Sequence, residues 1–494
     1  MFIHSPDLID VSLVLAMLLL PLLTGCIGPE HVAGDNPTPY QQSLLPAFRG
    51  DIASLEDIPR YRIAVRLDAN ALTLTGHQQV LYTNNEGDKL SEIYFRLYPN
   101  LPQFGGQMQV QRAAIDSRDA SFTCEAGNTA LKLLLTPSLL PGERLQIELD
   151  FTVQIPRADG DEPRLFGLSQ GILSLPNFYP MLAVHEAAGW HLDGAPGFSD
   201  AVFSEVALYE VSITAPLDMV VVTSGLTFDA QPNPDGTQTV YCAGGPLRDF
   251  GLVMSREFQV ASTTAYGVTV NAYHLPRDKS SGQAGLWHAA AALRVYNDAF
   301  GPYPFAEFDV VEAPLANKGM EYPGLILVGT DLYRHRAENR EFLVVHETGH
   351  QWWYSLVGSD AVNHPWLDEG LAEYSVYIYN QMVHSQAAAD ELVEKRWLIP
   401  YQVAVGKGLD AVTDQPSSAF SEENYEYIVY AKGALFFHAL HQAVGDQVYL
   451  SIMREYLRRY KHGIATPSDF LRLAEAVSGQ DLDPIYQEWV LTVK

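Results

Sequence analysis

Apolar and polar residues alternate without a break from Arg144 to Ile155. Leu145, Ile147, Leu149, Phe151, Val153 and Ile155 fall on one side, and Gln146, Glu148, Asp150, Thr152 and Gln154 on the other. Successive side chains of a strand point to opposite faces, so this is the pattern of a half-buried antiparallel strand. Similar runs occur at Tyr61–Leu67, Ile93–Leu97 and Tyr209–Thr214, separated by turns rich in Gly, Asn, Asp and Pro. They predict a β-rich domain over about residues 52–260. Phe166 to Ser199 interrupts the pattern with Gly, Pro and aromatic residues in no strand period. A long irregular stretch of this kind is read either as a functional loop or as a packed surface loop.

Beyond about residue 260 the period becomes helical. Gln283–Phe300 reads as an Ala-rich helix ended by Gly301, and Phe308–Glu312 and Leu325–Val328 as short strands on either side of Lys318-Gly319-Met320-Glu321-Tyr322-Pro323-Gly324. A helix through Glu341–Trp353 is expected to end near Gly358, and a second to open at Pro365, which suits a first turn. Further helices are expected from near Tyr427 to Gly445 and from about Gln447 to Lys461. A last one should start at Thr466-Pro467-Ser468-Asp469, with Thr as N-cap and Pro next. The predicted class is α+β, a β-rich N-terminal domain followed by a mainly α domain over residues 261–494. No 20–50-residue repeat is present.

Composition narrows the setting. The 494 residues are 47% hydrophobic, ample for cores, and carry a net charge of −28. A field of that sign repels phosphate backbones and anionic lipid, which argues against nucleic-acid binding. Val11–Leu23 is an apolar run of 13 residues, short of the roughly 20 needed to span a bilayer. It ends in Leu23-Thr24-Gly25-Cys26, which resembles a bacterial lipoprotein signal. Residues 1–26 are then a signal peptide with its lipobox, Cys26 the lipidated mature terminus, and residues 27–51 a tether. The protein would be exported and membrane-anchored, facing the periplasm or cell exterior. No Lys or Arg precedes the run, and Asp7 and Asp10 stand where positive charge is usual; a cleaved signal for a soluble protein is the alternative. Export would permit a Cys124–Cys242 disulfide, but two isolated cysteines also read as buried thiols.

The chemistry centres on Glu341–Trp353, EFLVVHETGHQWW. His346 and His350 are four residues apart, a step that returns to the same helix face. Both imidazoles can therefore meet one ion, with Glu347 beside them as general base. A catalytic zinc takes three protein ligands and keeps one open position. Glu369, in HPWLDEGLAEY, is the best candidate for the third. Glu373 lies four residues further on, placed either to accept a ring N–H from a zinc histidine or simply as a surface carboxylate.

Three features coincide: HETGHQWW with WLDEG downstream, Gly319-Met320-Glu321-Tyr322-Pro323-Gly324, and Tyr430-Ala431-Lys432-Gly433-Ala434. In these, over roughly residues 55–494, the chain resembles the membrane alanyl aminopeptidase family of zinc metallopeptidases, which includes aminopeptidase N and the leukotriene hydrolase. The resemblance implies a saddle-like antiparallel β domain before a thermolysin-like catalytic domain. It implies one Zn2+ per chain on His346, His350 and Glu369, with Glu347 as base and Tyr430 as donor to the oxyanion. Gly319, Met320 and Glu321 would bind substrate, Glu321 receiving its α-ammonium and Gln170 assisting. The implied activity is removal of N-terminal residues from peptides. An open-cleft endopeptidase, a hydrolase of non-peptide substrates, or a non-catalytic binding or assembly module are the alternatives. Two departures stand out. Tyr322 replaces the family's Asn, and 64 residues follow Tyr430, enough to finish a catalytic domain without the helical domain that covers the cleft in many members. The cleft is then open, or another chain covers it.

Overall fold

A computed structural model describes residues 38–55, 57–158, 165–315, 319–335 and 337–494. The signal stretch with Cys26, the first part of the expected tether, and Lys318 lie outside these residues.

Strand alternation becomes sheet as expected. Arg60–Asp68 buries every second side chain, as does Arg144–Gln154. Both belong to an eight-stranded sheet in the order Leu226–Pro232, Thr237–Leu247, Ala207–Pro216, Arg60–Asp68, Thr73–Thr83, Arg144–Gln154, Gln107–Ile115 and Arg118–Asp119. Every neighbouring pair is antiparallel except Arg60–Asp68 with Ala207–Pro216, which run parallel. Two four-stranded sheets and the two-stranded pair His185–Glu186 with Gly189–Trp190 complete the described part of this half.

The stretch Phe166–Ser199 is neither wholly irregular nor a surface loop. It contributes Gly167–Ser169, Ile172–Ser174 and Met181–Leu182 to the smaller sheets, and Leu173, Leu175, Phe178 and Tyr179 lie in the core. Strands this short, covered on both faces, leave no alternation to read. The expected tether also needs correction over residues 38–51. Leu44 is buried and bridges to Phe305, the Leu45 amide donates to the Pro304 carbonyl, and Asp51 pairs with Lys461 at 2.6 Å. This segment is packed on the body. Cys124 is exposed and Cys242 buried, both as free thiols, on different sheets.

The second half is built on a five-stranded sheet ordered Gln259–Ala265, Val268–His274, Glu307–Ala313, Leu325–Gly329 and Gly319–Met320. The helix Lys279–Ala299 packs against it and against the helices that follow. Helices Gln386–Leu392 and Ile399–Lys407, joined by the π-turn Val393–Leu398, are not foreshadowed by the periodicity of the chain. Pro400 within this run breaks a simple helical pattern, yet the backbone stays helical from Gln386 to Lys407, with Pro400 directly after the π-turn. The Thr466 start is a full capping box, but a short helix, Asp483–Tyr486, still follows.

One buried cation ties the β-rich sheets to the helical half. Arg248 is 1% exposed, and its guanidinium donates to the carbonyls of Ser204, Tyr354, Leu356 and Gly463. Gly358 makes room for it, since a Cβ there would sit 2.3 Å from the guanidinium carbon. Arg248→Met would take the donor from the Ser204 and Tyr354 carbonyls, at about 1–3 kcal/mol each, while the Leu356 and Gly463 carbonyls keep the His462 and Gly358 amides. The expected result is a clearly lower urea midpoint for the variant in equilibrium unfolding; an unchanged midpoint would show that Arg248 is not the clamp described.

Candidate metal centre

Two helices bring the motif residues together. The first, Ala337–Gly349, ends earlier than the expected Gly358 because the chain turns inward at its two tryptophans. Trp352 Nε1 donates to the Gly301 carbonyl and Trp353 Nε1 to Ser375 Oγ. His350 lies just past the helix end, but its amide still bonds the His346 carbonyl, so the two imidazoles keep one face. The second helix, Trp366–Val383, has Pro365 as its N-cap and carries Glu369 in its first turn. The two helices touch where Gly349 meets Ala372 and Ser375; a Cβ at Gly349 would lie 3.3–3.5 Å from them.

The three candidate ligands converge on one point. His346 Nε2 and His350 Nε2 are 3.2 Å apart, and Glu369 Oε2 is 3.2 Å from the first and 3.4 Å from the second. Tetrahedral ligands about 2.0–2.1 Å from a zinc ion are separated by roughly 3.3 Å, and the triangle matches that edge. His350 Nδ1 is 3.0 Å from the Trp353 carbonyl, which can only accept. Nδ1 therefore carries the proton, and the Nε2 lone pair is free for a cation. Glu369 Oε2 is buried with no protein hydrogen-bond partner. Buried groups in this condition are costly unless a cation meets them, so the residues fit zinc.

Glu373 is not at the surface. It is 1% exposed, bound by Arg396 at 2.9 Å and by Trp397 Nε1 at 2.8 Å. Its nearer oxygen is 3.8 Å from His346 Nδ1, beyond hydrogen-bond range. Arg396 and Trp397 lie on the unforeseen π-turn; a Trp beside a buried carboxylate leaves no local signature.

Glu347 is buried beside the triangle with Oε2 unpaired. Burial pushes its carboxyl well above the usual range and Glu321 adds to the push, while His350 opposes it. A bound divalent cation would offset that field. Glu321 is buried at the end of the edge strand Gly319–Met320, and burial pushes its carboxyl up to about 7 against the pull of His350. Ligand atoms of Glu321, Glu347 and His350 all lie within 4.8 Å of one another. Gln351 holds this geometry: it accepts from the Gly324 amide at 2.8 Å and donates to the Tyr322 carbonyl at 3.1 Å. The residue after the second histidine thus ties the metal helix to the turn behind Glu321.

Gly319 has a steric role besides any backbone pairing with substrate. A Cβ there would fall 2.0 Å from Glu347 Oε1. Gly319→Ala must displace the base, and a misplacement near 1 Å costs about 10² in rate. We expect a kcat about a hundredfold lower with unchanged bound zinc by elemental analysis; retained kcat would show that Glu347 is not held where it acts. Met320 lines the cleft on both sides of the strand.

Tyr430 sits on the π-turn Glu426–Lys432, an irregularity common at functional sites. Its hydroxyl donates to Glu369 Oε1 at 2.5 Å and its ring lies 6.0 Å from that of His346. The rest of its motif is structural. Lys432 is fully buried on Asp410 and the carbonyls of Ala411 and Thr492. Gly433 faces Gly370, whose Cβ would lie 3.1 Å from the Gly433 carbonyl carbon. These two glycines bring the Tyr430 and Glu369 segments into contact. Gln170, expected to assist at the substrate, accepts from Arg334 at 2.8 Å while lining the cleft. Asp200 belongs to no motif and joins the site only through the fold, whereas Asp368 stands beside Glu369 within WLDEG. Asp368 is buried and accepts from the Glu369 amide.

Comparison with known proteins agrees with this geometry. Residues 285–489 match the family model described as the peptidase family M1 domain. A puromycin-sensitive aminopeptidase of Caenorhabditis elegans is 26% identical over 319 residues, 60% of this chain and 32% of the relative. Aminopeptidase M1 of Arabidopsis thaliana is 24% identical over 306 residues, 57% and 34% of the two chains. The chain thus spans about a third of the length of the curated relatives it matches. The crystal structure of an M1 zinc metallopeptidase from Deinococcus radiodurans is similar in fold, with a TM-score of 0.67 and 19% identity over 89% of this chain and 94% of that one. Residues 285–489, which carry the whole His346, His350, Glu369 triangle, are thus the part of this chain that matches the peptidase family M1 domain.

Proposed function

We propose that the protein is a zinc-dependent aminopeptidase, binding one Zn2+ per chain on His346, His350 and Glu369. The observation that carries the reading is the placement of Glu321, at the end of an edge strand and within 4.8 Å of both Glu347 and His350. An extended peptide can add to the free edge of Gly319–Met320 by backbone pairing. Its advance is then stopped by a buried carboxylate that calls for a cation, and the α-ammonium of a substrate is one. Only about one residue fits between that ammonium and the base.

Zinc, when bound, lowers the pKa of a water and polarises the scissile carbonyl. Glu347 takes a proton from the attacking water and returns it to the leaving amine. The Tyr430 hydroxyl, held by Glu369, turns to donate to the developing oxyanion. The solved neighbour from Deinococcus radiodurans was also determined, as a variant, with a Tyr-Ser-Ala substrate, which supports peptides as the substrate class. The deciding experiment compares free and N-acetylated aminoacyl-anilides with and without a chelator. Cleavage of the free amines alone, abolished by the chelator, supports the proposal; equal cleavage of blocked substrates would make an open-cleft endopeptidase the better account.

The lipoprotein reading of Cys26 is part of this proposal, with the protein exported and held at a membrane facing the periplasm or cell exterior. Among the described residues no helix is long and apolar enough to cross a bilayer. Cys26→Ser is expected to move the protein from the membrane fraction to the soluble one at unchanged specific activity. A wild-type protein already soluble and free of lipid by mass spectrometry would refute the anchor. The cleft stands open on the described residues or is covered by a partner chain.

A further inference from the structure

Behind the edge strand lies a second chamber of about 720 Å³, separate from the one that holds the metal ligands. The two share Ser199, Asp200, Gly319, Met320, Glu321 and Glu422, so a substrate whose ammonium meets Glu321 has its first side chain at the mouth of this chamber. Its lining is strongly one-sided in charge. Asp200, Asp249, Glu321, Asp331 and Glu422 contribute carboxylates, and no Lys, Arg or His is among the described lining residues. Arg334, which donates to Gln170 of the lining, is itself paired with Asp278 and Glu312.

Acidity alone would not make a site, but the wall also carries buried polar groups without partners. Asp249 is 0% exposed; one of its oxygens takes bonds from Tyr354 and Asn177, and the other, Oδ1, has none. Tyr322 and Thr330 are buried with unpaired hydroxyls. Tyr322 is the residue that stands in place of the family's Asn, and it lines this chamber. Beside the polar Gln103, Gln170 and Ser199, the wall has an apolar part formed by Phe104, Leu165, Val202, Pro314 and Leu315. An apolar sleeve leading to unpaired acceptors suits a side chain with an aliphatic stem and a cationic head.

We propose that this chamber selects an N-terminal arginine or lysine, its head received by Asp249 and Asp200 and its stem by the apolar wall. The inference rests on the aminopeptidase reading and adds the substrate class to it. Citrulline has the shape of arginine without its charge, so the pair isolates the electrostatic contribution. With the metal-loaded full chain, kcat/KM for the arginyl-anilide is expected to exceed that for the citrullyl-anilide roughly 10- to 150-fold, the range of one or two hydrogen bonds to a charged group. Lysyl should exceed norleucyl in the same sense, and glutamyl should be the poorest. In Asp249→Asn and Asp200→Asn the arginine-to-citrulline ratio is expected to fall at least about threefold each. Should either variant fail to fold, the wild-type ratio still decides. A wild-type ratio at or below one, with both substrates cleaved, overturns this inference and leaves the aminopeptidase reading standing. If neither is cleaved, that reading fails, and calorimetric titration with L-argininamide and L-citrullinamide judges the chamber alone: tighter binding of the former supports it and equal binding refutes it.

Discussion

Glu347→Gln is expected to lower kcat by about 10²–10⁴ while leaving zinc bound. The substitution keeps the shape of a side chain that is 4% exposed and has one oxygen unpaired, so packing is preserved. What it removes is the ability to accept a proton from water and pass it on. Zinc retention is the informative half of the measurement, because the structure holds two overlapping candidate triangles. His346, His350 and Glu369 form one; Glu321, Glu347 and His350 form the other. The first has the separations of a tetrahedral zinc site, 3.2, 3.2 and 3.4 Å. Elemental analysis of Glu347→Gln should therefore return about one zinc per chain. Loss of metal together with activity would place the ion on the second triangle and remove Glu369 from the ligand set.

Glu321→Ala should reduce kcat/KM for free-amine substrates by roughly 30-fold to several thousand-fold, the equivalent of the ~2–5 kcal/mol lost when one partner of a buried ion pair is removed. The carboxylate is 7% exposed, and burial already pushes it up to about 7. A substrate ammonium restores the charged form by direct pairing. Lys318, the cation nearest in sequence, lies outside the described residues. Tyr322 in place of the family's Asn does not alter this expectation, which concerns charge and not backbone pairing. Comparison of free and N-acetylated anilides on both proteins checks it: the variant should lose its discrimination as well as its rate. A variant that cleaves free amines at the wild-type rate would mean that the ammonium is bound elsewhere, and Glu321 would lose its role.

The histidine ligands are legible in the chain itself because helical geometry is a local property. A four-residue step returns to the same face wherever the helix sits, so the spacing of His346, Glu347 and His350 is enough to find them. Glu369 is legible as a candidate from its place on the next expected helix, but Tyr430 only through the resemblance of its segment, since nothing local links residues 61 positions apart that share a 2.5 Å hydrogen bond. Strand alternation is equally local, and Arg60–Asp68 and Arg144–Gln154 emerge where their period places them. The short strands of Phe166–Ser199, buried on both faces, carry no period and cannot be read in this way.

What the sequence determined by itself about this protein was therefore its α+β order and the set of groups available to a metal. Tertiary structure decided what each of those groups meets. It put Gly319 against Glu347, drew Arg396 and Trp397 onto Glu373, folded residues 38–51 onto the body, and placed Asp200 and Asp249 in one wall with Tyr322. The physical reason is common to all of these. Periodicity records how a residue faces its own element, whereas steric gaps, desolvation and charge pairing depend on neighbours that arrive from distant parts of the chain.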